Sequence, residues 1–552
     1  MSSNQPSPDP VSANDDQTPR KRRTPPKWLW ITLGVFGLLI AIVRGTDLVP
    51  DHGIANVTTW VMVFLATIVL LVWFVFLSGH SRPVRLGALA ACAAGVGLFF
   101  ALMRLDRVSG ELVPTFVYRY ASKPDRLIEP ATPEVPAGGQ AARVDLGTTT
   151  QYDFPQFLGP NRDVSVESVR LARDWKAQPP RPIWRQEIGA GWSAFAVVNG
   201  HAVTMEQRGD LEMVTCYDVP TGRLEWAYSA PARYDSISGG AGPRATPTID
   251  AGMVYAQGAL GHLVCLDGAT GQCRWEKNLL RQYAIAPEDE SAAIAWGRSA
   301  SPLVAGELVI VPAGGPAGGR KVSLVALDKR TGAVVWEGGD RQISYSSPLR
   351  ATLGGVEQIL IVNEDTVSGH DVRSGKPLWE HPWPGRSNRN ASVSQAVPIE
   401  PNRVFLSKAY GQGAMLLELS PRGDGTFATR VVWQNSKVMK TKFANVTVKD
   451  GCVYGLSDGV LECIELETGR RIWKDGRYQH GQILRVHDLL LVLSEEGEVV
   501  LVEATPDRVN RVLGRFQAIE GMTWNNFSLY GPYLLVRNGR EAACIQLPVE
   551  GR

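Results

Sequence analysis

An eleven-residue pattern recurs through the C-terminal part of the chain and constrains the fold more than any other feature. CYDVPTGRLEW (216–226), CLDGATGQCRW (265–275), ALDKRTGAVVW (326–336), GHDVRSGKPLW (369–379) and CIELETGRRIW (463–473) each carry an acid, then a Gly, then a Trp four positions after the Gly. Degenerate copies end at Trp433 and Phe516, and a detached Trp184 precedes the first full copy. Apolar alternation ahead of the acid predicts a strand. The acid can accept from backbone N–H groups two residues on, and Gly supplies the positive φ of a tight turn. Trp then falls early on the returning strand, where a large ring can wedge between adjacent sheets.

Each copy has two further strand candidates upstream. In the second copy the run is Ala245–Ile249, Met253–Ala256, His262–Leu266 and Arg274–Lys277. Four antiparallel strands repeated in this way predict propeller blades. The marker rings at 184, 226, 275, 336, 379, 433, 473 and 516 are spaced 40 to 61 residues apart and number eight. After Phe516 only three strands remain (Thr523–Ser528, Tyr533–Val536, Ala542–Leu547), so Ile183–Ile188 must complete the last blade. Pairing the chain ends removes two sheet edges. The predicted fold is all-β: an eight-bladed β-propeller over residues 183–548, after a lead-in at 152–182, with seven blades as the alternative.

The region before the propeller is built for a different solvent. Residues 1–27 are polar and Pro-rich, end in a basic cluster, and read as a disordered tail. Three apolar runs follow at 28–43, 57–78 and 86–103 and predict transmembrane helices; the Gly- and Ala-rich third is suited to close helix packing. Arg20, Lys21, Arg22, Arg23, Lys27, Arg82 and Arg85 fall on one side of this threading. The positive-inside rule therefore puts the tail in the cytoplasm and everything after Met103 outside, although Arg104 and Arg107 run against it. The predicted location is a cytoplasmic (inner) membrane with a periplasmic or extracellular propeller. Residues 105–151, rich in Pro and Gly, read as a loose linker. With 57 basic and 55 acidic residues, the charge balance gives no case for a nucleic-acid partner.

The Leu-Asp-x-x-Thr-Gly-x-x-x-Trp hairpin resembles the repeat of pyrroloquinoline-quinone (PQQ)-type propellers, a superfamily that includes quinoprotein alcohol dehydrogenases and BamB-like assembly proteins. The lead-in FPQFLGPNRD (154–163) is similar to one that often precedes this propeller, and the resemblance covers residues 154–548. It implies fold strongly and function weakly, because the repeat is architectural. Dehydrogenases of this superfamily typically carry adjacent cysteines over the cofactor, calcium ligands and an Asp base. This chain has neither a Cys-Cys pair nor a Cys-x-x-Cys-His haem site. Membrane glucose-dehydrogenase-like quinoproteins also lack the pair and also have membrane helices, but long insertions build their active sites. Here the blades average about 46 residues, and the longest insertions (Gln282–Trp296, Pro421–Phe427) show no obvious ligand cluster.

Polar residues just before each innermost strand should line one mouth of the channel: Trp192, Arg244, Arg298, Tyr345, Asn390, Lys442 and Trp524, with Glu206, Arg208 and Asp210 nearby. Arg244, Arg298 and Lys442 together are expected to suit an anionic ligand, with Trp192 or Trp524 stacking on a planar one. A wet, polar propeller axis also needs no ligand. Cys216, Cys265, Cys463 and Cys544 share a repeat position that elsewhere holds Ala326 or Gly369, which reads as a tight packing slot; Cys452 and Cys463 are candidates for a cross-strand disulfide. The histidines show no metal-site spacing. Ser299, Ser346 and Ser347 recur by repeat and read as strand-start geometry rather than nucleophiles. The leading functional expectation is a membrane-tethered, non-catalytic scaffold with a protein partner at a propeller face and no required cofactor. The alternatives are a PQQ- and calcium-dependent dehydrogenase of alcohols or sugars, and a small-ligand sensor.

Overall fold

The computed structural model describes residues 24–46, 49, 51–131, 143–385, 390–507 and 509–551. Residues 1–23 of the expected tail and 132–142 of the expected linker lie outside them. The chain forms two compact units, one comprising 1–49 and 54–104 and the other 50–53 and 105–552. The first contains three helices, α1 (Lys27–Gly45), α2 (His52–Leu77) and α3 (Arg82–Leu102), each long and apolar enough to cross a membrane. Their large apolar side chains face outward, with Trp30, Phe64 and Phe76 all exposed. Lipid accepts that arrangement where water would penalise it. The last turn of α2 is a π-turn, Trp73–Leu77; there Ser78 Oγ donates to the Phe74 carbonyl and Arg85 Nη1 to the Val75 carbonyl.

The second unit is an eight-bladed propeller of four-stranded antiparallel sheets. Blade 1 runs from Ala196 to Ala230, blade 2 from Thr248 to Asn278, blade 3 from Leu303 to Gly338 and blade 4 from Leu349 to Pro382. Blades 5 to 7 are Val397–Asn435, Thr447–Arg477 and Gln482–Gln517, with Ser165–Val166 added in parallel to the inner strand of blade 7. Blade 8 takes three strands from Ser528 to Gln546 and its outer strand, Arg181–Glu187, from the other end of the domain; Cys544 faces Trp184 and Ala542 faces Gln186. The ring closes as its strand count required.

The repeat residues act between blades. Trp184, Trp226, Trp275, Trp336 and Trp433 each donate Nε1–H to the carbonyl just after the hairpin acid of the next blade, at 2.7–3.0 Å. The same rings lie against the hairpin glycines. A Cβ on Gly271 would sit 2.7 Å from the Trp226 ring, and one on Gly332 would sit 2.8 Å from Trp275. Glycine is required there twice, for its positive φ and for the ring above it. Within each blade Trp226, Trp275, Trp336, Trp379 and Trp473 face Cys216, Cys265, Ala326, Gly369 and Cys463, so the small-residue slot is the space beneath the indole.

Blade 7 departs from the expectation. The register puts Gly514, not Phe516, at the Trp position, because Leu501 faces Gly514 and the bulge follows. Trp175 from the lead-in occupies the vacated space, its Cβ 2.7 Å from where a Cβ of Gly514 would lie. Cys452 and Cys463 are both free thiols; Cys463 faces Tyr454 and Cys452 faces Glu465.

Around the axis, side chains at the inner-strand starts tie neighbouring blades together. Ala194 N donates to Thr246 Oγ1, Thr246 N to Ser301 Oγ, Ser301 N to Ser347 Oγ, and Gln395 N to Asn445 Oδ1. Asn525 Nδ2 donates to the Ser193 carbonyl and joins blade 8 to blade 1. The recurring hydroxyls before proline are therefore inter-blade ties. These bonds satisfy four buried backbone donors and, through Asn525, a buried backbone acceptor.

Candidate functional site

Five aromatic rings form a shallow basin at the mouth where the inner strands start. Trp192 and Trp524 lie 4.9 Å apart between centroids, Trp524 and Phe443 4.9 Å, Phe443 and Trp296 6.4 Å, and Trp296 and Tyr345 5.0 Å. Phe157 of the lead-in also lines the basin, and about 150 Å³ remains free. Below it the channel is plugged. Arg162, fully buried, donates from Nη1 to the Pro348 carbonyl, from Nη2 to Thr248 Oγ1 and the Pro302 carbonyl, and from Nε to Gln156 Oε1. Burial lowers its pKa to about 9. The basin is therefore blind.

Of the expected site residues, Trp192, Trp524 and Arg244 line the basin. Trp192 Nε1 donates to the Gly239 carbonyl at 2.6 Å and Trp524 Nε1 to Glu495 Oε1 at 3.0 Å. The Arg244 guanidinium lies 4.1 Å above the Tyr234 ring and donates to the carbonyls of Gly239, Gly240 and Gly242. Burial lowers its pKa to about 10. It is the only charged side chain among the described lining residues.

The other three expected residues do not join it. Arg298 is buried and forks onto Glu290, Nε–Oε1 2.7 Å and Nη2–Oε2 3.1 Å, and its two Nη groups also donate to the Pro312 and Ala313 carbonyls. Glu290 sits on a short helix, Pro287–Ala293, inside the insertion that the sequence left without a role. Lys442 pairs with Asp51 at 2.9 Å and donates to the Gly110 carbonyl. Glu206 is fully buried, accepting from Tyr217 at 2.6 Å, Arg208 Nε at 3.0 Å and Gly189 N at 2.5 Å. Its burial raises the carboxyl pKa, but Arg208, Arg537 and the Tyr217 hydroxyl outweigh that and leave it lowered. The anticipated convergence of three cations is absent, because two of them serve internal ion pairs.

Part of the supposed linker also folds onto this face. Strands Met103–Val108 and Pro114–Tyr118 pair as a hairpin, and Gly110 N at its turn donates to Glu495 Oε1 at 3.1 Å. Arg477 meets Glu111 at 2.8 Å, and His480 packs directly beneath Gly110. Further along, Asp125 accepts from Arg233 at 2.5 Å and Arg126 meets Asp210 at 2.8 Å. Sequence reasoning missed Trp296, Phe443 and Arg162. The available signals were the FPQFLGPNRD lead-in and the aromatics one and two residues from the expected mouth positions Lys442 and Arg298.

A PQQ molecule with its calcium ion asks for several cations on its carboxylates and for carboxylates on the metal. The described basin lining offers one guanidinium and no carboxylate, so it does not fit that pair.

A family model described as "Outer membrane protein assembly factor BamB" matches residues 174–282 and 212–475. A curated protein of that description from Burkholderia pseudomallei (strain K96243) is 24% identical over 311 residues, 55% of this chain and 71% of its own. Among solved structures, a europium-containing methanol dehydrogenase superimposes with a TM-score of 0.54 at 12% identity, covering 72% of this chain and 99% of its own. A quinohemoprotein alcohol dehydrogenase from Comamonas testosteroni gives 0.51 at 13% identity, covering 73% and 81%. At such identities these two likenesses speak for the shared fold alone. The matched repeats span more than half of the chain, which therefore belongs to the PQQ-like propeller family whose model is described as outer membrane protein assembly factor BamB.

Proposed function

We propose that this protein is a membrane-tethered, extracytoplasmic, non-catalytic scaffold whose propeller receives one aromatic or aliphatic side chain of a partner polypeptide in the aromatic basin. The observation that carries the reading is the basin itself: a blind aromatic cup of about 150 Å³ with a single cation on its wall. A cavity of that order admits a benzene-sized ring. Trp, Tyr and Arg are also the residue types that dominate protein–protein hot spots. Arg244 favours an acidic residue beside the inserted side chain. The assembly role in the name of the matched relative agrees with a polypeptide partner, and the basic residues flanking the helices support an extracytoplasmic propeller. This reading requires no cofactor.

The test is site-specific photo-cross-linking in the full-length protein in its native membrane. A cross-linker at Ser238, on the basin rim, should give a discrete polypeptide adduct, and one at Lys449, at the opposite end of an inner strand, should not. Trp296→Ala should weaken capture by tenfold or more, the range for a central hot-spot residue. An adduct that is indifferent to Trp296→Ala, or equal capture from Lys449, would overturn the reading.

A further inference from the structure

We propose that blade 1 carries a binding site for a divalent transition-metal ion of the zinc type, formed by His201, Asp218 and Glu225. One ligand atom from each lies within 4.8 Å of the other two, and all three residues are half-buried. His201 Nδ1 is 2.6 Å from Glu225 Oε2. The hairpin bonds to Thr221 occupy Asp218 Oδ2, leaving Oδ1 as the oxygen open to an ion. Behind the cluster, the fully buried Cys216 thiol lies 3.7 Å from Glu225 Oε2. The proposal does not depend on the function of the basin.

The repeat supplies its own controls. His201 opens the second strand and faces Asp218, the hairpin acid, and Glu225 is the extra residue of the bulge between the pairs Cys216–Trp226 and Tyr217–Leu224. In blade 2 the same three places hold Met253, Asp267 and Arg274, and the arginine neutralises the acid as an ion pair. In the remaining blades the bulge residue is aliphatic: Val335, Leu378, Val432, Ile472, Leu513 and Ile183. Blade 1 alone replaces an ion pair or an aliphatic contact with a second carboxylate and an imidazole. The Glu225 side chain is only 7% exposed. An ion seated between Asp218 and Glu225 would be held by carboxylates from two strands and by the imidazole of a third residue. The cations already at hand are His201 itself when protonated, 2.6 Å from Glu225 Oε2, and Arg223, half exposed and 3.6 Å from the other Glu225 oxygen.

The donor set selects the ion class. One imidazole and two carboxylates suit zinc-like ions at about 2.0–2.2 Å per ligand, with water completing a tetrahedron. Calcium asks for six to eight oxygens. Closing around an ion would replace the His201–Glu225 hydrogen bond and pin the hairpin to the second strand.

The experiment uses the full-length protein in detergent, stripped with a chelator and titrated with Zn²⁺ against a chromophoric competitor, with Co²⁺ substitution as the spectroscopic readout. Wild type should bind one equivalent, and Co²⁺ should show visible d–d bands of a low-coordinate nitrogen–oxygen site. A thiolate charge-transfer band would support the site as well and add Cys216 to its ligands. Glu225→Gln, nearly isosteric, and His201→Ala should each weaken binding at least tenfold and abolish the bands, while circular dichroism stays unchanged. His262→Ala, which removes the His262–Glu276 pair of blade 2, should bind as wild type. Absence of a saturable equivalent in wild type, or Zn²⁺ binding by Glu225→Gln and His201→Ala equal to wild type, would overturn the proposal.

Discussion

Replacing Gly271 by Ala separates the two reasons for a glycine in the repeated hairpin. Gly271 has φ +72° and Gly451 has φ +74°, so the backbone strain of an added methyl is the same at both. Left-handed backbone costs an L-residue about 1–2 kcal/mol, partly offset by about 0.4–1 kcal/mol from a stiffer unfolded chain. Gly451→Ala meets nothing within 4 Å, whereas the methyl of Gly271→Ala would lie 2.7 Å from Trp226 Cε3. The indole cannot slide away freely, because its Nε1–H is held by the Gly268 carbonyl at 2.8 Å. Overpacking adds about 1–3 kcal/mol and a strained hydrogen bond about 1 kcal/mol. Gly451→Ala should therefore cost about 1 kcal/mol and Gly271→Ala about 3–5 kcal/mol by the same bookkeeping. Urea unfolding of the full-length protein in detergent, followed by tryptophan fluorescence, reads the difference. In a Trp226→Leu background the cost of Gly271→Ala should fall toward that of Gly451→Ala, since the two residues are coupled through contact. Equal costs for the two glycines in the wild-type background would refute the role assigned to the ring.

Three further outcomes follow from the structure. Gly110→Val places a side chain where Cβ alone would be 2.3 Å from His480 Cδ2; hydrogen exchange should speed up over residues 105–118 while the blades keep their protection. His480, its pKa lowered to about 3 by burial and by Lys442 and Arg477 against the opposing Asp51, stays neutral in the fold while the unfolded chain takes a proton near pH 6.5. Its contribution is thus complete above pH 6.5 and lost as pH falls toward 3, on the order of 2–3 kcal/mol between pH 6.5 and 4.5; His480→Phe should flatten that slope in urea midpoints measured against pH. Arg162→Met takes the donor from the Pro348 carbonyl and leaves the Pro302 carbonyl only Thr248 Oγ1, and should destabilise by about 1–3 kcal/mol in the same assay, with Arg162→Lys recovering only part because an ammonium cannot reproduce the fork.

The parts of the fold written in local periodicity were legible. The hairpin acid, the glycine and the indole recur at fixed spacing because each blade must latch the next in the same way, so blade number and the closing strand followed from counting. Blade 7 was misread for a physical reason: its indole comes from Trp175, far from Gly514 in sequence, and Phe516 stood close enough to imitate it. The site was legible only where it stays local. Trp192, Arg244 and Trp524 sit where inner-strand starts must place them. Arg298 and Lys442 were assigned to the channel because their partners could not be seen, Glu290 lying in an insertion without periodicity and Asp51 lying 391 residues away. The His201 cluster left a trace that a repeat alignment can show, since Glu225 occupies a place that other blades fill with an aliphatic residue or an arginine.

The direct measurement on the functional account is a titration of the full-length, detergent-solubilised protein with PQQ and Ca²⁺, following the fluorescence of the basin tryptophans and dye-linked oxidation of alcohols and sugars together. A cup with one guanidinium and no carboxylate should give no saturable quenching and no oxidation above the protein-free control. Saturable binding accompanied by turnover, both lost on Trp192→Ala, would contradict the account and make this propeller an enzyme.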